Sequence, residues 1–84
     1  MRHFTSESFW KAYDQLPTEV RQLADKNYEL LKASPSHPSL RLKKIEELWS
    51  VRVGRHYRAV GIDVSDGIQW IWIGSHADYD KFIG

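Results

Sequence analysis

The chain has 84 residues, four of them tryptophan, and a formal net charge of +1 at neutral pH. This length predicts one domain over residues 1–84, near the lower limit for folding without disulfides or a bound metal, and the aromatic content can supply its core. The sequence has no cysteine, no run that resembles a signal peptide and no apolar run of membrane-spanning length, which favours a reducing, cytoplasmic location without membrane contact.

The first half of the chain predicts a short strand followed by two helices. The Thr5-Ser6 pair is suited to cap the first helix, with Glu7 favourably placed in its first turn. Pro17 separates the two helices, since it can end one and occupy the first turn of the next. Apolar residues recur at helical spacing on both sides of it: Phe9, Ala12, Tyr13 and Leu16 before, and Val20, Leu23, Ala24, Leu30 and Leu31 after. Two close prolines in residues 33–39 then predict a loop.

The second half of the chain predicts three antiparallel strands. An extended segment at residues 40–43 leads into strands at 49–53, 57–62 and 70–73. We expect the loop between the first two strands to have three residues, because that length gives the cleaner apolar face. It places Arg52 opposite Arg58 and puts both guanidinium groups on one face of the sheet. A two-residue loop would separate them, since one step of register exchanges the faces of a strand.

A second turn signal sets the register of the third strand. The Asp66-Gly67 pair is the strongest short hairpin signal in the chain and predicts a two-residue turn at these positions. The resulting register sets Arg58 against Ser75, with His76 one step beyond. Two guanidinium groups and one imidazole are therefore expected to converge at one end of the sheet.

The same register predicts how the apolar side chains divide between the two faces. Trp70 and Trp72 both fall on the core side, with Trp72 opposite Gly61, where a glycine leaves room for the indole. An apolar patch remains on the arginine-bearing face: Val60, Ile62, Ile71 and Ile73. Because a monomer rarely exposes such a patch, we expect either the C-terminal tail, through Phe82 and Ile83, or the amphipathic helix of a partner to cover it.

These elements together predict an α+β fold in the order β-α-α-β-β-β with a short C-terminal helical tail. Two N-terminal helices pack on one face of a small antiparallel sheet, which makes a two-layer domain. Ser75 is placed to cap the helical tail that follows it.

Two arginines and a histidine at one end of a sheet suit a phosphodiester better than most other substrates. Arginine holds phosphate with a planar fork of donors, and histidine titrates near neutrality. Residues 41–58 carry six Lys or Arg side chains against two Glu, a balance that is compatible with local binding of an anion. The chain as a whole lacks the strongly basic profile of a protein that binds any nucleic acid tightly.

Each of these residues also has a purely structural explanation. The arginines could pair with Glu46 or Asp63, and His76 could be a turn histidine bonded to Asp78 or Asp80. Three further cations could be solvated surface: Arg41, Lys43 and Arg55. The four histidines show no metal-ligand spacing, so we expect no metal site and no cofactor.

Several short motifs occur in order along the chain. They are Phe9-Trp10 to Leu16-Pro17-x-x-Val20, Pro35-x-His37-Pro38-x-Leu40, Lys43-Lys44, Ser50-Val51-Arg52-Val53-Gly54-x-x-Tyr57-Arg58-Ala59, and Trp72-Ile73-Gly74-Ser75-His76-x-x-Tyr79. With these motifs, over nearly its whole length, the chain resembles the small toxins of the RelE/ParE superfamily, the toxic halves of bacterial type II toxin–antitoxin pairs.

The resemblance implies a function. RelE-type members cut mRNA on the translating ribosome, ParE-type members inhibit DNA gyrase without nuclease chemistry, and both are neutralised by an antitoxin. We expect a metal-independent, ribosome-dependent mRNA endonuclease whose partners are an antitoxin, mRNA and the ribosome. Two alternatives remain: a ParE-like inhibitor of DNA gyrase, and a degenerate member that binds an antitoxin without toxicity.

The resemblance also implies residue roles. Arg58 matches the arginine that contacts the scissile phosphate in nuclease members, and Arg52 lies where those members carry a basic residue. His76 matches a histidine of some members and would act as acid or base, while Tyr79 lies near the position of a C-terminal aromatic and would stack on a base or donate a proton. The remaining substrate contacts are expected from Lys43, Lys44, Ser50 and Ser75. Ser50 departs from RelE, which has a second basic residue there.

Overall fold

A five-stranded mixed sheet with helices on both faces forms the protein. The computed structural model describes residues 2–83, with side chains up to residue 82. The strands are β1 (Arg2–Thr5), β2 (Lys43–Ile45), β3 (Leu48–Val53), β4 (Tyr57–Val64) and β5 (Gly67–Ser75). The helices are α1 (Glu7–Tyr13), α2 (Thr18–Ala33) and α3 (His76–Ile83), with a 3-10 helix at Pro38–Leu40.

The strand order is β1-β5-β4-β3-β2, with β1 parallel to β5 and the other neighbours antiparallel. This arrangement confirms the predicted α+β class and the order of the predicted elements, but the sheet is mixed rather than antiparallel throughout, because β1 lies parallel to β5. The extended segment before the hairpins contributes β2, a short strand at the edge of the sheet. Within residues 2–83, no helix is long and apolar enough to cross a membrane.

The predicted caps place the helices. The Ser6 hydroxyl accepts a hydrogen bond from the backbone N–H of Phe9 at 3.2 Å, so it caps α1 as expected. The Ser75 hydroxyl accepts from the backbone N–H of Asp78 at 3.1 Å, which fixes the start of α3 at the end of β5. Helix α2 begins directly after Pro17.

The main core lies between the sheet and the first two helices, on what we call the α1/α2 face. The sheet contributes Val51, Val53, Ala59, Ile68, Trp70 and Ile73, and the helical part of the chain contributes Leu16, Ala24 and Leu31. This core confirms the prediction for Trp70. The prediction that Ile73 belongs to the arginine-bearing face is wrong, because Ile73 is buried in this core.

Helix α3 packs on the opposite face, which we call the α3 face, against β4 and β5. Val60 is completely buried there and Tyr79 is 4% exposed. Phe82 stacks on Trp72 with 5.3 Å between ring centroids, so the C-terminal helix covers part of the apolar surface on this face. The expected inward turn of the Ile83 side chain lies outside the part that the structure describes.

The first hairpin has the predicted register. Val53 pairs with Tyr57 and Arg52 with Arg58, which confirms the three-residue loop and places both arginines on the α3 face. The loop begins with Gly54 at φ +66°, in the left-handed region that glycine favours.

The second hairpin corrects the prediction. Val64 pairs with Gly67, so the turn residues are Ser65 and Asp66 rather than Asp66 and Gly67. Gly67 is needed for another reason: a Cβ atom there would lie 1.9 Å from the carbonyl oxygen of Arg2. The close approach of β1, which the sequence pattern does not reveal, therefore explains this glycine.

A β-bulge then changes the faces of β5. Gly61 pairs with Trp70 and Val60 with Trp72, so Ile71 is an extra residue between them. Trp72 therefore lies on the α3 face, and its predicted position on the core side, opposite Gly61, is wrong. The shifted turn and the bulge together pair Arg58 with Gly74 instead of Ser75.

Candidate functional site

A cavity of about 310 Å³ opens at the end of the sheet where β3, β4 and α3 meet. It is lined by Arg41, Arg52, Arg55, Tyr57, Arg58 and His76. Three of the predicted site residues, Arg52, Arg58 and His76, therefore line one cavity. Among the described residues, no carboxylate lines the cavity and no ion pair involves any of its four arginines.

Arg52 reaches the cavity from β3. Its Nε donates a hydrogen bond to the carbonyl oxygen of Gly54 at 3.0 Å, which uses one of its five N–H donors. The amide of Asn27, on α2, donates to the Arg52 carbonyl at 3.4 Å and ties the strand to the helix behind it. The hairpin loop thus holds this guanidinium group while leaving most of its donors for a ligand.

Arg58 is the most constrained of the four arginines. Its guanidinium carbon lies 5.3 Å from the centre of the Tyr79 ring, and one terminal nitrogen lies 3.4 Å from the Ser50 hydroxyl. Its Nε is buried without a hydrogen-bond partner among the described residues, a state that is costly and uncommon for a polar group. Arg58 is therefore held on an aromatic platform at the cavity wall.

His76 is the first residue of α3. Its backbone N–H donates to the carbonyl oxygen of His56 at 2.7 Å, which joins the helix start to the β3–β4 loop. Its Nδ1 lies 3.5 Å from a carboxylate oxygen of Asp80, one helical turn away. The imidazole is about half exposed and lines the cavity. His76 therefore contacts Asp80 within its own helix and also faces the cavity.

The other predicted site residues have different positions. Tyr79 is buried, and the Arg58 guanidinium lies over its ring, so this ring supports Arg58 and is not open for a base to stack on. Ser50 is 2% exposed and accepts from Arg58, so it lies beneath the site. Ser75 caps α3. These three side chains position Arg58 and His76.

The two lysines do not join the cavity. Lys44 shares the α1/α2 face with its strand partner Trp49 and hydrogen-bonds Asp63, which also accepts from the indole of Trp49 at 2.7 Å. The hydrogen bond between Lys44 and Asp63 raises the pKa of Lys44 and lowers the pKa of Asp63. Lys43 is exposed on the edge strand opposite Ser50 and does not line the cavity.

Sequence reasoning missed three residues of the cavity: Arg41, Arg55 and Tyr57. Arg41 and Arg55 come from loops whose paths could not be read from periodicity, although the excess of cations in residues 41–58 pointed to this part of the chain. Tyr57 pairs with Val53 and packs against the core, and because it lies at the strand end it also reaches the cavity. No three His, Asp or Glu side chains within residues 2–83 are grouped to hold a metal ion.

A second, apolar cavity of about 150 Å³ lies between α1, α2 and the sheet. Its walls include Phe9, Tyr13, Ala24, Tyr28, Val51 and Trp70. Trp10, at its edge, is 47% exposed, and the Tyr13 hydroxyl donates to Asp25 on α2 at 2.8 Å. This opening, which we call the α1/α2 groove, is an apolar surface that residues 2–83 leave unfilled.

Three solved structures show how widely this fold is shared. The chain is similar to a protein in the RelB–RelE antitoxin–toxin complex of Methanococcus jannaschii, with a TM-score of 0.73, 20% identity and coverage of 96% of this chain and 99% of that one. It is also similar to a protein in the archaeal RelE–RelB complex of Pyrococcus horikoshii, with a TM-score of 0.69, 18% identity and coverage of 88% of this chain and 92% of that one. A free mutant of the E. coli toxin RelE has a TM-score of 0.68 and 17% identity, with coverage of 96% of this chain and 88% of that one. At these identities the likeness establishes the fold alone.

The sequence comparisons give the family. A search of curated proteins finds no match. The sequence model described as the ParE-like toxin domain matches residues 18–81, which contain β2 to β5, all of α2 and most of α3. The chain therefore belongs to the ParE-like toxin domain family, within the RelE/ParE superfamily.

Proposed function

We propose that the protein is the toxin of a type II toxin–antitoxin pair and that it cuts mRNA at the ribosome without a metal ion. The observation that carries this proposal is the cavity where Arg52, Arg58 and His76 meet, whose wall includes no carboxylate among the residues that the structure describes. Such a site attracts a phosphate, because the lining side chains carry positive charge that no lining negative charge opposes among the described residues. Family membership supports the toxin role, and the cavity supports the choice of nuclease chemistry.

The proposed reaction is attack of the RNA 2′-hydroxyl on the adjacent phosphorus. A bond forms between the 2′-oxygen and phosphorus while the bond to the 5′-oxygen breaks, which leaves a 2′,3′-cyclic phosphate and a 5′-hydroxyl. The 2′-hydroxyl proton goes to a base, and an acid protonates the departing 5′-oxygen. His76 performs one of these two transfers, because its imidazole lies in the cavity wall.

The arginines act on the phosphate itself. Arg58 binds the scissile phosphate and stabilises the charge that develops on the phosphorane, while Arg52 assists from the neighbouring strand. The Tyr79 ring and the Ser50 hydroxyl fix the Arg58 guanidinium before substrate arrives. A group held in place costs no reorganisation when the reaction occurs, so this support contributes to the rate.

The antitoxin is proposed to cover the α1/α2 groove. The apolar strand face that the sequence suggested for it is partly occupied by α3, through Phe82 and Trp72. The groove instead offers an unfilled apolar volume beside the exposed ring of Trp10. We expect Trp10→Lys to weaken the complex with the antitoxin, whereas Lys11→Ala, on the same exposed helix, should not. Equal affinity of the Trp10→Lys variant would place the antitoxin elsewhere.

Inhibition of DNA gyrase is the second candidate, since the matching family is the ParE-like one. One expression experiment separates the two. In cells that express the toxin, a nuclease shortens translated mRNA and leaves supercoiling normal, whereas a gyrase inhibitor does the reverse. Arg58→Ala and His76→Ala should both abolish growth inhibition, and Arg21→Ala, an arginine on α2 outside the cavity, should not. Intact mRNA with disturbed supercoiling would replace the nuclease proposal by the gyrase one.

A further inference from the structure

Arg41 has a backbone conformation that arginine rarely adopts. It follows the 3-10 helix with φ +46° and ψ +45°, in the left-handed region, and its N–H donates to the Pro38 carbonyl at 3.3 Å. Glycine and asparagine are the residues favoured in this region, because a Cβ atom crowds the following carbonyl. A residue with a long charged side chain at such a position suggests that the side chain serves a purpose apart from the fold.

The charge of the cavity gives that purpose. Four arginines line it, and in the described part of the chain no carboxylate lines the cavity and no ion pair involves these arginines. One phosphodiester carries a single negative charge, which Arg58 alone would balance. Arg52 lies opposite Arg58, so the pair already exceeds the charge of the scissile group. Arg41 and Arg55, both exposed to solvent, are therefore available to bind further negative charge on the ligand.

The size of the cavity agrees with a ligand larger than one phosphate. Its volume of about 310 Å³ falls at the lower end of the range for small-molecule sites. Its lining comes from three separate places: the loop at Arg41, the hairpin of Arg52, Arg55 and Arg58, and the start of α3 at His76. An extended anion can contact all three at once.

We propose that Arg41 binds a phosphate that flanks the scissile one, so that the site holds at least two phosphates of one RNA strand. This inference rests on the proposed nuclease function. It assigns Arg41 to binding, apart from the chemistry at Arg58 and His76. Removal of Arg41 should therefore weaken the binding of oligonucleotides with several phosphates and spare the binding of a ligand with one.

The chain offers a matched control for the test. Glu46 also has a positive φ, +55°, and lies in the turn between β2 and β3, outside the cavity. Arg41→Gly and Glu46→Gly relieve the same kind of backbone strain, but only the first removes a cation from the cavity. Both variants should melt at or above the temperature of the unmodified protein, because glycine adopts the left-handed region without a steric cost.

The measurement is the affinity for two DNA probes, which lack the 2′-hydroxyl and so cannot be cut by the proposed reaction. For an octanucleotide, Arg41→Gly should bind about fivefold more weakly, the effect of a favourable solvent-exposed ion pair. The slope of log affinity against log salt should fall by about 0.7, the value for one phosphate contact on a single strand. For a dinucleoside monophosphate, Arg41→Gly should bind as the unmodified protein does.

Two further variants complete the comparison. Arg41→Lys keeps the charge and should recover most of the octanucleotide affinity. Arg41→Asn replaces Arg41→Gly if the latter fails to fold, since asparagine also tolerates the left-handed region. Glu46→Gly should leave both affinities unreduced.

Several results would overturn the inference. Unchanged octanucleotide affinity and salt slope in Arg41→Gly would remove Arg41 from the site, and an equal loss in Glu46→Gly would assign the effect to the backbone. A loss confined to antitoxin binding would make Arg41 a protein contact. If Arg58→Ala still weakens octanucleotide binding in these cases, the nuclease proposal stands without Arg41. If Arg58→Ala also has no effect, both proposals fail.

Discussion

Arg52 and Arg58 lie directly opposite each other on neighbouring strands, on the same face of the sheet. Like charges in this relationship are destabilising, and within residues 2–83 neither arginine has a carboxylate partner. A protein that keeps such a pair loses stability in order to hold a concentrated positive charge. This exchange is typical of a site whose ligand supplies the missing anion.

The first prediction follows from this opposition. Arg52→Gln should raise the free energy of unfolding by about 0.2–1 kcal/mol, because it removes the cross-strand repulsion, and it should lower cleavage of RNA. Denaturant unfolding at low salt measures the first effect, and Arg21→Gln serves as the control because its partner is the Thr18 hydroxyl. A clear loss of stability in Arg52→Gln would show that the hydrogen bond from Arg52 to the Gly54 carbonyl outweighs the repulsion between the two guanidinium groups.

The second prediction concerns the contact between His76 and Asp80. The carboxylate lies 3.5 Å from Nδ1 and can fix the orientation of the imidazole. Asp80→Asn should therefore lower cleavage by less than His76→Ala, and the double variant should be no slower than His76→Ala alone. Asp78→Asn, on the same helix, should have little effect. Additive losses in the double variant would mean that Asp80 acts independently of His76.

The third prediction concerns the dependence of stability on pH. The Nδ1 atom of His3 accepts a hydrogen bond from the Trp70 indole at 3.1 Å, and burial lowers the pKa of His3 below its usual 6.5, with the charge of Lys32 acting in the same direction. The unfolded chain then binds the proton more readily than the folded one. Stability should therefore be fully present above about pH 6.5 and should fall as the pH drops toward the folded value.

Removal of this imidazole should change the pH profile. His3→Phe should be less stable than the unmodified protein at pH 8, since the Trp70 indole loses its acceptor, but its stability should fall less between pH 7 and pH 5. His56→Gln, at an exposed histidine of the β3–β4 loop, should keep the original slope. Urea unfolding at a series of pH values checks both variants. An unchanged slope in His3→Phe would mean that other groups cause the acid sensitivity.

The fourth prediction tests the register of the second hairpin, which places Trp70 opposite Gly61. A Cβ atom at Gly61 would lie 2.6 Å from Cγ2 of Ile68 and 2.9 Å from Cε3 of Trp70. Gly61→Ala should therefore destabilise the fold by about 1–3 kcal/mol, the usual cost of overpacking a core. Ser65→Ala, in the exposed turn, is the control. A cost under 0.5 kcal/mol, about the scatter of ordinary surface substitutions, would indicate that Trp70 is not opposite Gly61.

Features that depend on residues close in sequence were predicted correctly, whereas features that depend on distant residues were not. The helix caps and the first hairpin depend on residues close in sequence, and both were predicted correctly, including the opposition of Arg52 and Arg58. The second hairpin was wrong because Gly67 serves the approach of β1, a contact with a strand more than sixty residues away. Such a contact leaves no local pattern to read.

The candidate site shows the same limit. The turn error shifts the register of β5 by two residues, and the bulge at Ile71 restores one, so His76 still reaches the arginines. Trp72 exchanged faces because a single extra residue inverts everything beyond it. Arg41 could not be assigned at all, since its place in the cavity depends on a loop conformation that no periodicity encodes.

The most direct test of the central claim is the chemistry of the cleaved ends. An mRNA that ribosomes are translating is incubated with the purified toxin, and the new termini are identified beside those from His76→Ala. We predict 2′,3′-cyclic phosphate and 5′-hydroxyl ends, a rate about 10²–10⁴-fold lower for His76→Ala, and no cleavage at a position carrying a 2′-deoxy sugar. Intact mRNA under these conditions, or cleavage that persists at the 2′-deoxy position, would contradict the proposed reaction.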